Sequence, residues 1–156
     1  MSVAEQTLPP EQAGRRRCVS LLACATAGEL HAAWDALKDK PETKPVRRPE
    51  TGLVMVRGRI GGGGSPFNLG EATVTRATIA LASGTVGHAQ ALGTDKQKAK
   101  LAAIFDALWQ EDATRDHVEN VLLAPIEHRV ATENRAKAEE TAATRVDFFT
   151  MVRGED

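Results

Sequence analysis

The chain has 156 residues, and its 20 Lys+Arg against 21 Asp+Glu leave a formal net charge of -1. That length suits one domain burying roughly 70% of its unfolded surface, and the charge balance argues against a general nucleic-acid binder, which would be distinctly basic. No apolar run is long enough for a membrane-spanning helix, and Arg15, Arg16 and Arg17 interrupt the N-terminus before a signal-peptide core develops, so no membrane partner and a cytoplasmic location are expected.

Aromatic residues make up only 4% of the chain, with no Tyr. The core must therefore come from Ala, Leu, Val and Ile, which bury little area per residue. A thin core favours help from a partner. Residues 1–10 end in Pro9-Pro10 and read as a flexible tail. The rest, 11–156, reads as one domain.

From Glu11 the spacing of Cys18, Leu21, Leu22 and Ala25 predicts a helix with one apolar stripe. Thr26 and Glu29 have the spacing of a capping box, opening a second helix with Leu30, Ala33, Trp34 and Leu37 on its apolar face. The pair is expected to form an αα-hairpin. Cys18 and Cys24 are six apart on this helix, too divergent to bridge, and are expected as buried, reduced thiols.

Pro41, Pro45 and Pro49 make 38–52 a loop with at most a short edge strand. Gly52 to Ile60 reads as a strand, with Val54, Val56 and Ile60 on one face and Arg57 and Arg59 on the other. Gly61 to Gly64 form a flexible connection. Ala72–Ala82 and Thr85–Leu92 are strand-like, and Ser83-Gly84 between them fits a two-residue hairpin turn.

Gly93 ends the small antiparallel sheet, and Thr94-Asp95 can cap the next helix. Leu101, Ile104, Phe105 and Leu108 give that helix a buried stripe. A shorter helical stretch follows at about 114–123. Pro125 suits the first turn of a last helix running to about Ala143. Its only large apolar residues are Ile126 and Val130; beyond them it is alanine and charge. The end, 145–156, alternates like a strand and holds two of the four Phe. It is expected as a docking arm with Phe148, Phe149, Met151 and Val152 at a partner interface, or else folded back on the chain's own sheet. The fold class is thus α+β: N-terminal αα-hairpin, small antiparallel sheet, C-terminal helices and a terminal strand-like arm.

No catalytic constellation emerges. His31, His88, His117 and His128 are scattered, without metal-ligand spacing. Neither cysteine sits in a nucleophile motif, and no G-x-S-x-G occurs. The glycines at 61–64 lack the spacing and the Lys of a phosphate loop. Two weaker anion-contact candidates remain. Thr94 and Lys96 lie at a helix N-terminus, where free N–H groups favour anions, although Asp95 opposes one. Arg57, Arg59 and Arg76 on strands can face a phosphate-rich substrate or a charged partner, or simply water.

Three stretches carry a family resemblance: ETGLVMVRGRIGGGGSPFNLGEATVTRATI at 50–79, GHAQALGTDKQKAKLAAIFDAL at 87–108, and RVDFFTMVRGED at 145–156. Together they resemble the G subunit of the phosphonate carbon–phosphorus lyase system, PhnG, chiefly through the blocks at 67–76 and 147–154. The resemblance implies a core-complex subunit with H, I and J as partners, I chiefly, and the L protein functionally. It implies support for displacement of adenine from ATP by a phosphonate, giving a ribose 1-phosphonate 5-triphosphate whose C–P bond the J subunit cleaves. Mg-ATP would be a substrate of the complex, with no cofactor held by this chain alone and the catalytic centres on I and J. A scaffolding subunit unlikely to act alone is the leading expectation. The alternatives are a direct basic contribution to the triphosphate site and a free-standing regulatory binding module.

Overall fold

A computed structural model describes residues 9–59 and 64–144, apart from the side chain of Glu11. Its elements follow the α+β order expected: helices α1 (Pro10–Cys24) and α2 (Ala27–Ala36), strands β1 (Thr43–Gly58), β2 (Phe67–Leu81) and β3 (Val86–Leu92), then helices α3 (Lys96–Gln110), α4 (Asp112–Val118) and α5 (Ala124–Ala143). A π-helical turn, Glu119–Leu123, joins α4 to α5. The three strands form one antiparallel sheet in the order β1-β2-β3. No described helix is long and apolar enough to cross a membrane.

Local chemistry explains most of the boundaries. The capping box at α2 is complete: Thr26 Oγ1 accepts from the Glu29 amide at 3.2 Å, and Glu29 accepts from the Thr26 amide at 2.7 Å. Asp95 caps α3 by accepting from the Lys98 amide at 2.9 Å. α1 and α2 meet at the Ala25-Thr26 corner, and each packs on α3 more than on the other. Cys18 is buried as expected, whereas Cys24, at the end of α1, is exposed.

The central helix is α3. Its expected stripe is buried, but so are Ala99, Ala102, Ala103, Asp106 and Ala107, so the helix is enclosed on nearly every side. The alanines let the sheet come close. A Cβ on Gly87 would collide with the Ala103 carbonyl oxygen and the Ala107 amide. Nine of the 23 buried apolar residues among those described are alanines, which is the thin core that the composition implied.

Three features of the sheet differ from the sequence reading. β1 begins at Thr43, well inside the expected loop. It is an edge strand, and its register shifts around Val46 and again around Arg48 and Pro49, so the prolines fall at irregularities where no ladder N–H is needed. β2 begins at Phe67, five residues earlier than expected. The β2–β3 turn takes Ala82, Ser83 and Gly84 rather than two residues, with Gly84 at φ +93° and its N–H bonded to the Leu81 carbonyl. A three-residue turn of this kind wants a glycine in the left-handed region.

The path from α4 to α5 is continuous rather than broken before Pro125. A proline inside a helix lacks an N–H and crowds the carbonyl four residues earlier. The widened π turn ending two residues before Pro125 accommodates this. Ile126 is fully buried and Val130 packs on the core, but every residue from Ala131 to Thr144 is exposed. The expected arm at 145–156, Ile60 and the glycines at 61–63 lie outside the described residues.

Candidate functional site

The most enclosed polar side chain among those described is Asp106, about two-thirds of the way along the apolar α3 and fully buried. Arg15 on α1 donates to it through Nε at 3.2 Å and Nη2 at 2.8 Å, and the His88 amide on β3 donates at 2.8 Å. Gln110 adds a bond to the Val86 carbonyl at 2.9 Å. This node ties α1, α3 and β3 together. The hydrogen bond to Asp106 raises the Arg15 pKa above its ordinary value, against the opposing cost of burial. The carboxylate and its cation satisfy each other, as a buried charge requires.

An open cleft of about 770 Å³ lies beside this node, lined by Arg15, Trp109, Gln110, Asp112 and Arg115 among others. Its cations are already engaged. Arg115 stacks over Trp109 at 5.1 Å, donates to the Trp109 carbonyl at 2.9 Å and pairs with Asp112 at 3.0 Å. No buried side-chain nitrogen or oxygen among the described residues lacks a partner, so no orphaned polar group points into the cleft.

A second set of arginines fastens α5. Arg17 pairs with Glu119 at 3.0 Å and Glu127 at 2.6 Å, and Trp109 Nε1 donates to Glu119 at 2.7 Å. Arg129 pairs with Glu29 at 2.7 Å and donates to the Cys24 carbonyl at 3.0 Å. The Arg129 hydrogen bond holds the Glu29 carboxyl down to about 2. Burial pushes the Cys18 thiol up to about 12, so it stays protonated and unreactive at neutral pH.

The anion-contact candidates do not converge. Arg76 is paired with Glu50 at 3.7 Å, midway along the β1–β2 ladder. Arg57 is opposite Asn68, eight residues along β2 from Arg76, or roughly 26 Å at the usual strand rise. Arg59 lies just beyond the end of β1. Thr94 and Lys96 flank the Asp95 cap, next to Gly93, whose N–H bonds the Thr73 carbonyl. The five are strung along one strand pair and its base. The histidines are equally dispersed: His88 Nδ1 lies 3.1 Å from the Thr78 hydroxyl, and no group of three or more His, Cys, Asp or Glu able to hold a metal occurs among the described residues.

The fold thus presents a fastened helical core, a basic edge strand and no assembled reaction centre among the described residues. The sequence pattern described as phosphonate metabolism protein PhnG matches residues 13–154. The chain belongs to the PhnG family. A relative from Rhizobium meliloti (strain 1021), named alpha-D-ribose 1-methylphosphonate 5-triphosphate synthase subunit PhnG, is 68% identical over 144 residues, covering 92% of each chain.

The PhnG match takes in every strand and all the arginine pairs above. Sequence reasoning missed Arg15 and Arg17 as structural residues, treating them only as a break in hydrophobicity. For Arg15 the signal was present on the other side of its pair. An aspartate between Phe105 and Ala107, in the middle of a buried stripe, demands a cation from elsewhere in the chain.

Proposed function

We propose that this chain is the G subunit of a carbon–phosphorus lyase core complex, supporting displacement of adenine from Mg-ATP by a phosphonate to give a ribose 1-phosphonate 5-triphosphate. The observation that carries this reading is the 68% identity, over 92% of both chains, to a synthase subunit. The H, I and J subunits are its proposed partners, I chiefly, with the L protein acting alongside, in the cytoplasm. Its role is scaffolding. Among the described residues the one buried charge, Asp106, is consumed in tying α1, α3 and β3 together, partly exposed arginine pairs fasten α5, and both guanidinium groups of the cleft beside Asp106 are already paired.

The test is coexpression with the H, I and J subunits, comparing the full chain with one ending at Thr144. The full chain should copurify, and loss of 145–156 with Phe148, Phe149, Met151 and Val152 should reduce capture strongly. Equal capture of the two forms would remove the docking arm from the account.

A second reading has basic residues reaching the triphosphate. Arg57 favours it, being exposed and without an ion pair among the described residues. Under that reading, Arg57→Ala with Arg59→Ala raises the KM for ATP about tenfold while the complex stays assembled. This is the loss of about 1.4 kcal/mol of phosphate contact. An unchanged KM in an intact complex would count against direct contact and for scaffolding alone.

A further inference from the structure

β3 pairs with β2 only from Val74 to Ala80. Beyond Val74 the sheet narrows to a two-stranded ribbon, with β1 from Leu53 to Gly58 against β2 from Phe67 to Thr73. Directly opposed residues share a face, and successive residues alternate between faces. Val54 and Val56 therefore lie on one face, with Ala72, and Leu92 sits at that face's root opposite Val74. Leu53 and Met55 lie on the other, with Thr73 and Glu71.

Both faces of the ribbon carry exposed apolar side chains. Leu53 is 63% exposed, Met55 53%, Leu69 60% and Leu92 73%, with Val54, Val56 and Phe67 also open to solvent. An antiparallel ribbon in water normally keeps at least one face polar. A two-stranded ribbon alone is marginal, and exposed apolar edge strands invite association. Packing is nonetheless specific at the tip: the Leu69 side chain occupies the space where a Cβ on Gly58 would sit. The pattern suits an element buried on both sides by something else.

Charge decides between the possible occupants. β1 carries Lys44, Arg47, Arg48 and Arg57, with Arg59 just beyond its end and Glu50 between them engaged by Arg47 and Arg76. A twofold antiparallel pairing of two β1 edges, centred on Gly52, would set Arg47 of one copy opposite Arg57 of the other, with Arg48 and Lys44 one position away from Arg57 and Arg59. Cation would face cation, which is unfavourable. A second copy is therefore a poor partner. A different chain with carboxylates at the rim is a good one.

Resting on the reading that this chain is a subunit of a larger enzyme, we infer that the ribbon is an insertion element. It enters a cleft in a non-identical partner subunit, with apolar walls against both ribbon faces and acidic side chains at the rim meeting the β1 cations. It uses residues other than those expected at 145–156.

The test coexpresses the full chain with the other synthase subunits, using Val54→Glu for one face, Met55→Glu for the other, and Arg57→Glu with Arg59→Glu for the rim. Each variant is first melted alone. Each face variant should melt like the unaltered chain yet lose at least tenfold in capture, and the rim variant should lose capture and its salt dependence. In the complex of the unaltered chain, amide exchange over 52–57 and 68–73 should slow. If either face variant is captured as well as the unaltered chain, or if exchange in the ribbon is unchanged on assembly, the inference is wrong. A free chain that sediments as a dimer and is split by Met55→Glu would point to a second copy and also overturn it. The exchange measurement needs no variant, so a misfolded substitution does not remove the test. Failure of the unaltered chain to be captured at all would sink the subunit reading itself; capture that is indifferent to the ribbon would sink only this inference.

Discussion

At the residue scale, Gly87 marks the tightest approach between sheet and helix. Its missing Cβ lets β3 lie against the backbone of α3 at Ala103 and Ala107. Backbone cannot move aside as a flexible side chain can. Gly87→Ala should therefore destabilise the chain by about 1–3 kcal/mol in urea unfolding. Gly52→Ala, with nothing within 4 Å of its Cβ, should stay within about 0.5 kcal/mol. Equal effects at the two positions would contradict the packing described. Glu29 supplies a pH dependence. Its folded pKa is about 2, below its ordinary 4.5, because Arg129 holds the charged form. A lowered carboxylate pKa contributes stability that is fully present above about pH 4.5 and is lost as pH falls toward 2. Because the pair is partly exposed, the loss should be about 1 kcal/mol, and Glu29→Gln should flatten that part of the acid limb. An acid limb unchanged in Glu29→Gln would show that the pair contributes nothing. The capping role of Glu29 was readable from its spacing to Thr26. Its pairing with Arg129, 100 residues away, was not, because periodicity carries no information about which distant side chains meet.

At the element scale, the helices were legible and the strand lengths were not. Apolar spacing identified the buried faces of α1, α2 and α3 because a helix face repeats over many residues. β1 was read too short because three prolines look like loop, and only the sheet order reveals an edge position where irregular pairing is tolerated. The buried carboxylate node at Asp106 was hidden for the same reason as the Glu29 pair: its partners come from α1 and β3. The alanine-rich half of α5 was read correctly as a poor packing surface. Ending the chain after Ala131 should change the unfolding free energy by no more than about 0.5 kcal/mol, since only surface residues and the Arg129–Glu133 pair are lost among those described. Ile126→Ala, at a fully buried position, should cost about 2–5 kcal/mol. A loss of several kcal/mol from the truncation would mean that residues beyond Thr144 pack on this core.

At the scale of the whole molecule, the arginine pairs, the alanine-filled core and the apolar ribbon share one logic. The chain holds its own helices with ion pairs that span about 90 to 110 residues of sequence, while leaving apolar strand surface outside the core. Here the buried polar groups are consumed in fastening, and the exposed apolar groups are at a protruding edge. The direct test of the subunit reading is reconstitution from purified components, following adenine release from Mg-ATP and methylphosphonate. The account predicts no release by this chain alone, release when it joins its partner subunits, and loss of both assembly and release when it is left out. Adenine release by the isolated chain, or undiminished release by the partners without it, would contradict the account.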